Sequence, residues 1–303
     1  AGKGVYICEN NESAENAIEE IFNGKFGKAK NVLLEEFLVG EEMSYFIVSD
    51  GTNIKKFETA QDHKRVGEGD TGKNTGGMGA YSPSRLISDD LDNKILEKII
   101  YPTLNAIKDM NSEYRGFLYA GLMIVQNEPY LIEYNVRMGD PETEVVLPRI
   151  KNDFGEILTS LVNNKLKFVK MKFSDHSAAT VVTVSEGYPG KYEKEKEIKG
   201  LDNKTESIIF HCGTIKKSKK VFTNGGRVLA VTSFGKDFKI AVSKSYSFIK
   251  NISIDISAEP FEGIFIRAPK ISNCGTNVEL GTRFSEKPMC IDIPCLLYTS
   301  DAA

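Results

Sequence analysis

The sequence has 303 residues, 41% hydrophobic and 27% charged, with a formal net charge of −3; this is ordinary globular composition for roughly two domains of about 100 to 200 residues each, and it excludes disorder and collagen-like repetition. With 39 Lys and Arg against 42 Asp and Glu, there is no global basic field to hold nucleic acid or an anionic membrane, and no apolar stretch approaches the roughly 18 to 20 residues of a membrane span. Five scattered cysteines without a CxxC pair and three scattered histidines argue against a disulfide scaffold and a zinc cage, so the reading is a soluble, cytoplasmic protein whose partners are small molecules or protein.

In chain order, residues 5–8 are β-prone, Ser13 is placed to cap a helix carrying Ala14, Ala17, Ile18, Ile21 and Phe22 at helical spacing, and residues 31–34 are apolar again. Residues 43–50 read as a strand that turns at Asp50-Gly51 into a second strand over 54–57. Residues 62–83 hold six glycines, few large apolar residues and no regular period. They read as a long loop, and unstructured loops beyond about 12 to 15 residues in compact domains are usually binding or lid elements.

Residues 89–110 read as one amphipathic helix with Leu91, Ile95, Ile99 and Leu104 inward, and 117–125 and 130–134 as strands joined at Asn127-Glu128. A further helix is expected over 153–163 and a linker over 164–174. The chain then turns β-rich, with strands near 178–184, 207–210 and 227–232 and a helix near 236–250. Between residues 164 and 220, 13 Lys outnumber 7 acids; without interleaved aromatics and arginines they read as solvated loops rather than a nucleic-acid patch.

Three features converge on a nucleotide-phosphate site. AGKGV (residues 1–5) puts Lys3 between two glycines before a strand, so that backbone and ammonium can approach a phosphate, although alone it also reads as a plain glycine turn and is not a Walker motif. EEFLVGEE (35–42) sets four carboxylates around an apolar strand end, again compatible with an ordinary exposed turn. In LIEYNVRMGDPETE (131–144), alternation of period two places Leu131, Glu133 and Asn135 on one face, with Arg137 on the same side before a Gly-Asp-Pro turn. A carboxylate and an amide oxygen so spaced suit a hard cation such as Mg²⁺, and a neighbouring arginine can hold a phosphoryl group bidentately.

DHKRVGEGDTGKNTGGMGAYSP (62–83), GFLYAGLMI (116–124), EYNVRMGDPETE (133–144), GYPG (187–190), FHCGT (210–214) and TNGGRVLAVT (223–232) together resemble the phosphoribosylamine–glycine ligases, ATP-grasp enzymes of purine synthesis. The resemblance runs from residue 1 to about 267. It implies an α/β (α+β) fold with an ATP-grasp core followed by a smaller mixed β domain: a partial lid over 1–38, a core with the metal and substrate site over 39–167, and a β-rich domain over 168–267. It implies ATP-dependent ligation of glycine to 5-phosphoribosylamine through glycyl phosphate, with Mg²⁺ or Mn²⁺ and possible fusion to other purine enzymes. By the same resemblance Lys3 would contact the ATP phosphates and act with Arg137 in catalysis, Glu36, Phe37 and Leu38 would meet adenine, and Glu42 the ribose. Glu133 and Asn135 would ligate the metal. His63, Lys64, Gly76, Gly77, Met78 and Gly79, with Asp140, Pro141 and Glu142, would shape the glycine and phosphoribosylamine pocket.

The family's N-terminal α/β domain and the first part of the ATP-grasp core have no counterpart here, so the sequence reads as a fragment of doubtful activity by itself. Another ATP-grasp ligase and a noncatalytic nucleotide-binding remnant stay open as alternatives. Residues 268–303 depart from the family, lack a clear period and end in CLLYTSDAA, which looks like adaptor-derived sequence; they are expected to pack poorly.

Overall fold

The computed structural model of the chain describes residues 5–67, 71–254 and 296–298. The chain divides into two compact units, one of Ala1–Val39 with Asn273–Ala303, the other of Gly40–Ser272. In the smaller unit, strand β1 (Tyr6–Ile7) leads to helix α1 (Asn11–Phe22) and strand β2 (Leu33–Glu35). Ala17 and Ile21 bury the inner face of α1 and pack with Cys8. Its cap is Asn10, not Ser13: the Asn10 side chain accepts from the Ser13 backbone N–H, and Ser13 reciprocates to the Asn10 N–H as the third residue of a capping box. Both partners of such a box are cap-forming residue types, so local pattern alone does not separate Asn10 from Ser13.

The larger unit starts with a hairpin of β3 (Glu41–Asp50) and β4 (Ile54–Lys56), closed by the Asp50 carboxylate, which accepts from the N–H groups of Thr52 and Asn53. Residues 62–83 are not an unstructured loop. They contain the end of β5 (Gln61–Asp62), a small hairpin of β6 (Arg65–Gly67) and β7 (Thr71–Asn74), and β8 (Gly79–Ser82). β8 is flanked on one side by β5 and on the other by a strand about 100 residues downstream. Its four residues are all buried, so tertiary pairing rather than local pattern makes it a strand.

Helices α2 (Asp89–Ile95) and α3 (Tyr101–Asp109) form the expected helix, but five residues between them, Leu96–Ile100, wind as a π-helical turn. Strands β9 (Arg115–Val125) and β10 (Glu128–Asn135) follow, joined at Gln126-Asn127 rather than Asn127-Glu128. Both linking residues have positive φ, 49° and 63°, as a type I′ hairpin demands. The helices α4 (Thr143–Val146) and α5 (Phe154–Val162) come next, the latter capped by Asp153. The expected linker over 164–174 is instead packed: Leu166 is fully buried, Val169, Met171 and Phe173 lie on the same cluster, and the Leu166 N–H donates to Asp50. Its partly buried side chains Val169, Met171 and Phe173 alternate with Lys170 and Lys172, a period of two that the linker expectation did not use.

The remaining elements are β11 (Ser177–Val184), β12 (Glu197–Lys199), β13 (Ile208–His211), β14 (Thr214–Lys217), β15 (Lys220–Thr223), β16 (Arg227–Gly235), α6 (Phe238–Ile249), β17 (Ser253–Ile254) and β18 (Leu296–Tyr298). Three sheets organise the larger unit: β10-β9-β3-β4, β13-β16-β11-β8-β5 and β14-β15-β12-β17. Among the described residues their strand pairings are antiparallel. The five-stranded sheet thus draws strands from both sides of residue 167. One apolar cluster joins Met43, Tyr45, Ile47, Leu118, Ala120 and Leu122 to α2 and α3; a second, around Phe46, Tyr119, Val145 and Ile157, lies on the other face of β3 and β9. α6 covers β11 and β16 through Phe248 and Ile249. Of residues 268–303, Leu296–Tyr298 pair between β1 and β2; the others lie outside the described residues. Among the described residues no helix is long and apolar enough to cross a membrane.

Candidate active site

Opposite residues on paired strands share a face of the sheet. In β3 and β9, Glu42 lies opposite Met123, Ser44 opposite Gly121 and Phe46 opposite Tyr119; in β9 and β10, Gly121 lies opposite Glu133 and Tyr119 opposite Asn135. Glu42, Ser44, Tyr119, Glu133 and Asn135 therefore share one face. The simple alternation expected for residues 131–135 fails in one respect. The ladder shifts between Leu131 and Glu133, with Leu131 opposite Leu122 and Tyr134 opposite Ala120. Ile132 is the extra residue of a bulge, which sends Leu131 to the opposite, helix-covered face while keeping Glu133 and Asn135 together.

The pair fits a hard cation. Asn135 Nδ2 donates to Glu133 Oε1 at 3.1 Å, so the two side chains already meet. Glycine at 121 leaves room beside them, since a Cβ there would come within 3.3 Å of Glu133 Cγ. Among the described residues no trio of His, Cys, Asp or Glu converges as a dedicated metal cage. One carboxylate and one amide oxygen match Mg²⁺, which is commonly held by one or two protein oxygens and keeps phosphates and waters elsewhere.

Above this face runs the chain leaving β5. Lys64 Nζ bonds Glu42 Oε2 at 2.5 Å. Burial works against the charge of Lys64, but the carboxylates of Asp62, Glu42 and Glu133 outweigh it and raise its pKa, so it stays cationic. Asp62 is pushed up to about 7, first by desolvation; Lys64 pulls it down, while Glu142 and Glu42 push it further up. A carboxyl poised near neutrality thus sits among two other acids, Glu42 and Glu142, and one lysine.

Glu142 is buried, and its Oε1 accepts from Ser44 Oγ at 3.0 Å and from the Tyr119 hydroxyl at 2.9 Å. It holds the turn before α4 against the sheet. On that turn rests the glycine-rich segment 75–79. Arg227 donates to both Asp140 carboxylate oxygens, at 2.9 and 2.8 Å, and to the Gly76 carbonyl at 2.7 Å, clamping turn and segment together. Gly76 N–H donates to the Tyr188 hydroxyl at 3.1 Å and Gly77 N–H to Thr75 Oγ1 at 3.0 Å. Gly77, at φ +111°, lies so close to Pro141 that a Cβ would meet its Cδ at 2.3 Å. Met78 is fully buried with Val182, Val184 and Ala230. His63 and the segment exchange backbone bonds, His63 N–H to the Gly79 carbonyl and Met78 N–H to the His63 carbonyl.

Of the expected site residues, the structure gathers Glu42, His63, Lys64, Gly76, Gly77, Met78, Gly79, Glu133, Asn135, Asp140, Pro141 and Glu142 within the larger unit. Arg137 lies two residues beyond β10, where pleat alternation no longer sets its direction, and its guanidinium donates to the Met138 carbonyl. Glu36, Phe37 and Leu38 follow β2 in the smaller unit, and Lys3 lies outside the described residues. Sequence reasoning missed Ser44, Asp62, Tyr119, Tyr188 and Arg227 as parts of the arrangement. Asp62, Tyr119, Tyr188 and Arg227 stand inside motifs already singled out; nothing local distinguishes Ser44.

Comparison with known proteins bears on the same segments. Residues 1–143 match the family model described as phosphoribosylglycinamide synthetase, ATP-grasp (A) domain, and residues 178–267 that of its C domain. A phosphoribosylamine–glycine ligase of Pasteurella multocida is 44% identical over 239 residues, 78% of this chain and 56% of the relative. The trifunctional purine biosynthetic protein adenosine-3 of Gallus gallus is 46% identical over 250 residues, 81% of this chain and 25% of the relative. The crystal structure of the phosphoribosylamine–glycine ligase of Thermotoga maritima superposes with a TM-score of 0.64 at 30% identity, covering 86% of this chain and 72% of that one. The chain spans little more than half the length of the Pasteurella relative. The fold is that of the ATP-grasp ligases, and the chain belongs to the phosphoribosylglycinamide synthetase family.

Proposed function

We propose that the chain carries a large part of the site of an ATP-dependent ligase that joins glycine to 5-phosphoribosylamine, giving glycinamide ribonucleotide, ADP and phosphate in purine biosynthesis. The observation behind this reading is the Glu133 and Asn135 pair, set on one sheet face with Glu42 and beside the cationic Lys64. In the proposed reaction a glycine carboxylate oxygen attacks the γ-phosphorus and ADP leaves. The nitrogen of phosphoribosylamine then attacks the acyl carbon of glycyl phosphate, releasing phosphate and a proton.

Both steps bring anions together, and fixed positive charge in a preorganised site lowers that cost. Mg²⁺ or Mn²⁺, when held by Glu133 and Asn135, supplies charge neutralisation at the phosphates. Lys64, kept cationic by its acidic neighbours, is placed to neutralise a substrate anion, and the clamp of Arg227 on Asp140 and Gly76 holds the acceptor pocket in shape. Family likeness adds Lys3 at the ATP phosphates, Glu36, Phe37 and Leu38 at adenine, Glu42 at the ribose and Arg137 at the transferring phosphoryl. It also suggests the division into residues 1–38, 39–167 and 168–267. A cytoplasmic setting and fusion to further purine enzymes, as in the trifunctional Gallus gallus relative, belong to the same reading.

Calorimetric titration of Mg-ATP into the chain and into Glu133→Ala tests it. Saturable binding that the variant loses is the expected result. Equal binding by both would remove Glu133 from the nucleotide site and overturn the assignment.

A further inference from the structure

At the far edge of the four-stranded sheet lies a second concave region that the ligase reading does not use. It is a cleft of about 730 Å³ bounded by β4, the α2 end of the helical layer and residues 167–173, within the size range of small-molecule sites. β4 and β10 are opposite edges of the sheet. Three strand spacings, on the order of 14 Å in all, therefore separate the cleft from Glu133. It also opens beside Tyr45, whose side chain points to the face opposite that of Ser44 and Glu42.

Its charge is one-sided. Lys56 is paired with Asp92, which also accepts from the Tyr45 hydroxyl, and Glu58 faces Arg149 at 3.3 Å. Lys55, Lys167 and Lys170 also line the cleft, and none has a carboxylate partner among the described ion pairs. Asp89 is the remaining acid of the lining, so three lysines face one carboxylate.

Two large rings stand open at the same place, Phe168 at 74% and Tyr101 at 45% exposure. Lys167 Nζ lies 4.9 Å from the centroid of the Phe168 ring, so cation and π surface are adjacent. The helical wall is specially wound here. In a regular α-helix residues five apart point about 140° away from each other. In the π-helical turn the Tyr101 N–H donates to the Leu96 carbonyl, an i to i+5 bond that stacks the two residues, and both line the cleft. Such turns are rare and concentrate at functional sites.

We propose that this cleft binds an anionic aromatic small molecule of the nucleoside monophosphate class, with its phosphate among Lys55, Lys167 and Lys170 and its ring against Tyr101 and Phe168. Lysine neutralises the phosphate as a point charge, and exposed aromatic faces gain by covering a planar base.

The probe is AMP, titrated calorimetrically into the full chain in excess EDTA so that metal-dependent nucleotide binding is silent. Saturable binding is expected, weakened at least roughly tenfold in Lys167→Glu/Lys170→Glu and in Phe168→Ser, and unchanged in Glu133→Ala. All three altered side chains of the first two variants lie at the surface, and circular dichroism verifies that the variants fold. The proposal is overturned by an absence of saturable binding, by equal affinity in the lysine variant, by loss in Glu133→Ala, or by inorganic phosphate binding as tightly as AMP.

Discussion

Replacing Gly77 by alanine separates two costs that usually come together. Gly77 has φ +111°, and an added Cβ would meet Pro141 Cδ at 2.3 Å. Gly116 has φ +126° and nothing within 4 Å of the same position. Holding a non-glycine residue at such a φ costs about 1 to 3 kcal/mol, which both substitutions incur. Only Gly77→Ala adds overpacking against the buried Pro141 ring, about 1 to 3 kcal/mol more. In a unit of this size each kcal/mol lowers Tm by roughly 2 to 4 °C. Gly116→Ala should therefore lose roughly 2 to 12 °C, and Gly77→Ala roughly 4 to 24 °C. Scanning calorimetry of the two variants and the parent, in one buffer, measures the difference. If Gly77→Ala melts no lower than Gly116→Ala, the close seating of the glycine-rich segment on the 140–142 turn is wrong.

Arg149 is buried and donates to the carbonyls of His176 and Ser174 and to Ser82 Oγ, tying the entry of β11 to β8. Arg149→Met leaves those acceptors and Glu58 unpaired and should cost about 3 to 5 kcal/mol by urea unfolding; a loss under about 1 kcal/mol would show that the network is dispensable. Glu144 has a buried oxygen without a hydrogen-bond partner, and desolvation, with Asp140 and Glu142 adding to it against Arg227, pushes its pKa up to about 7. Because the folded pKa lies above the unfolded one, the folded state binds the extra proton, so this group's contribution to stability is full below pH 4 and is lost as pH rises to 7. Glu144→Gln should flatten the fall in Tm between pH 5 and 8; an unchanged profile would exclude Glu144 as its source.

Local pattern revealed much of this molecule. The runs that became β3, β9, β11 and β16 announced themselves because strands covered on both faces need near-continuous β-prone and apolar residues, and α5 and α6 because burial of one helix face imposes a period. The metal-suited pair was legible because Glu133 and Asn135 stand two apart in a strand, a spacing that survives the bulge at Ile132. The bulge itself left no local trace, and neither did β8, which exists because β5 and β11 flank it. Residues 164–174 carry a short alternation, Val169, Met171 and Phe173 against Lys170 and Lys172, yet the lysine-rich stretch reads as a linker, and only the fold supplies the cluster it joins.

Sequence alone thus determined the family and named most of the residues proposed for the site. Only the tertiary structure decided how they meet. It brought Arg227 across 87 positions to Asp140 and Ser44 across 98 to Glu142. It also placed Asp62 among Lys64, Glu42 and Glu142, where desolvation shifts its proton affinity. The physical reason is the same in each case. Periodicity and turn chemistry act over a few neighbouring residues, whereas burial, ion pairing and desolvation depend on which distant segments the fold brings together.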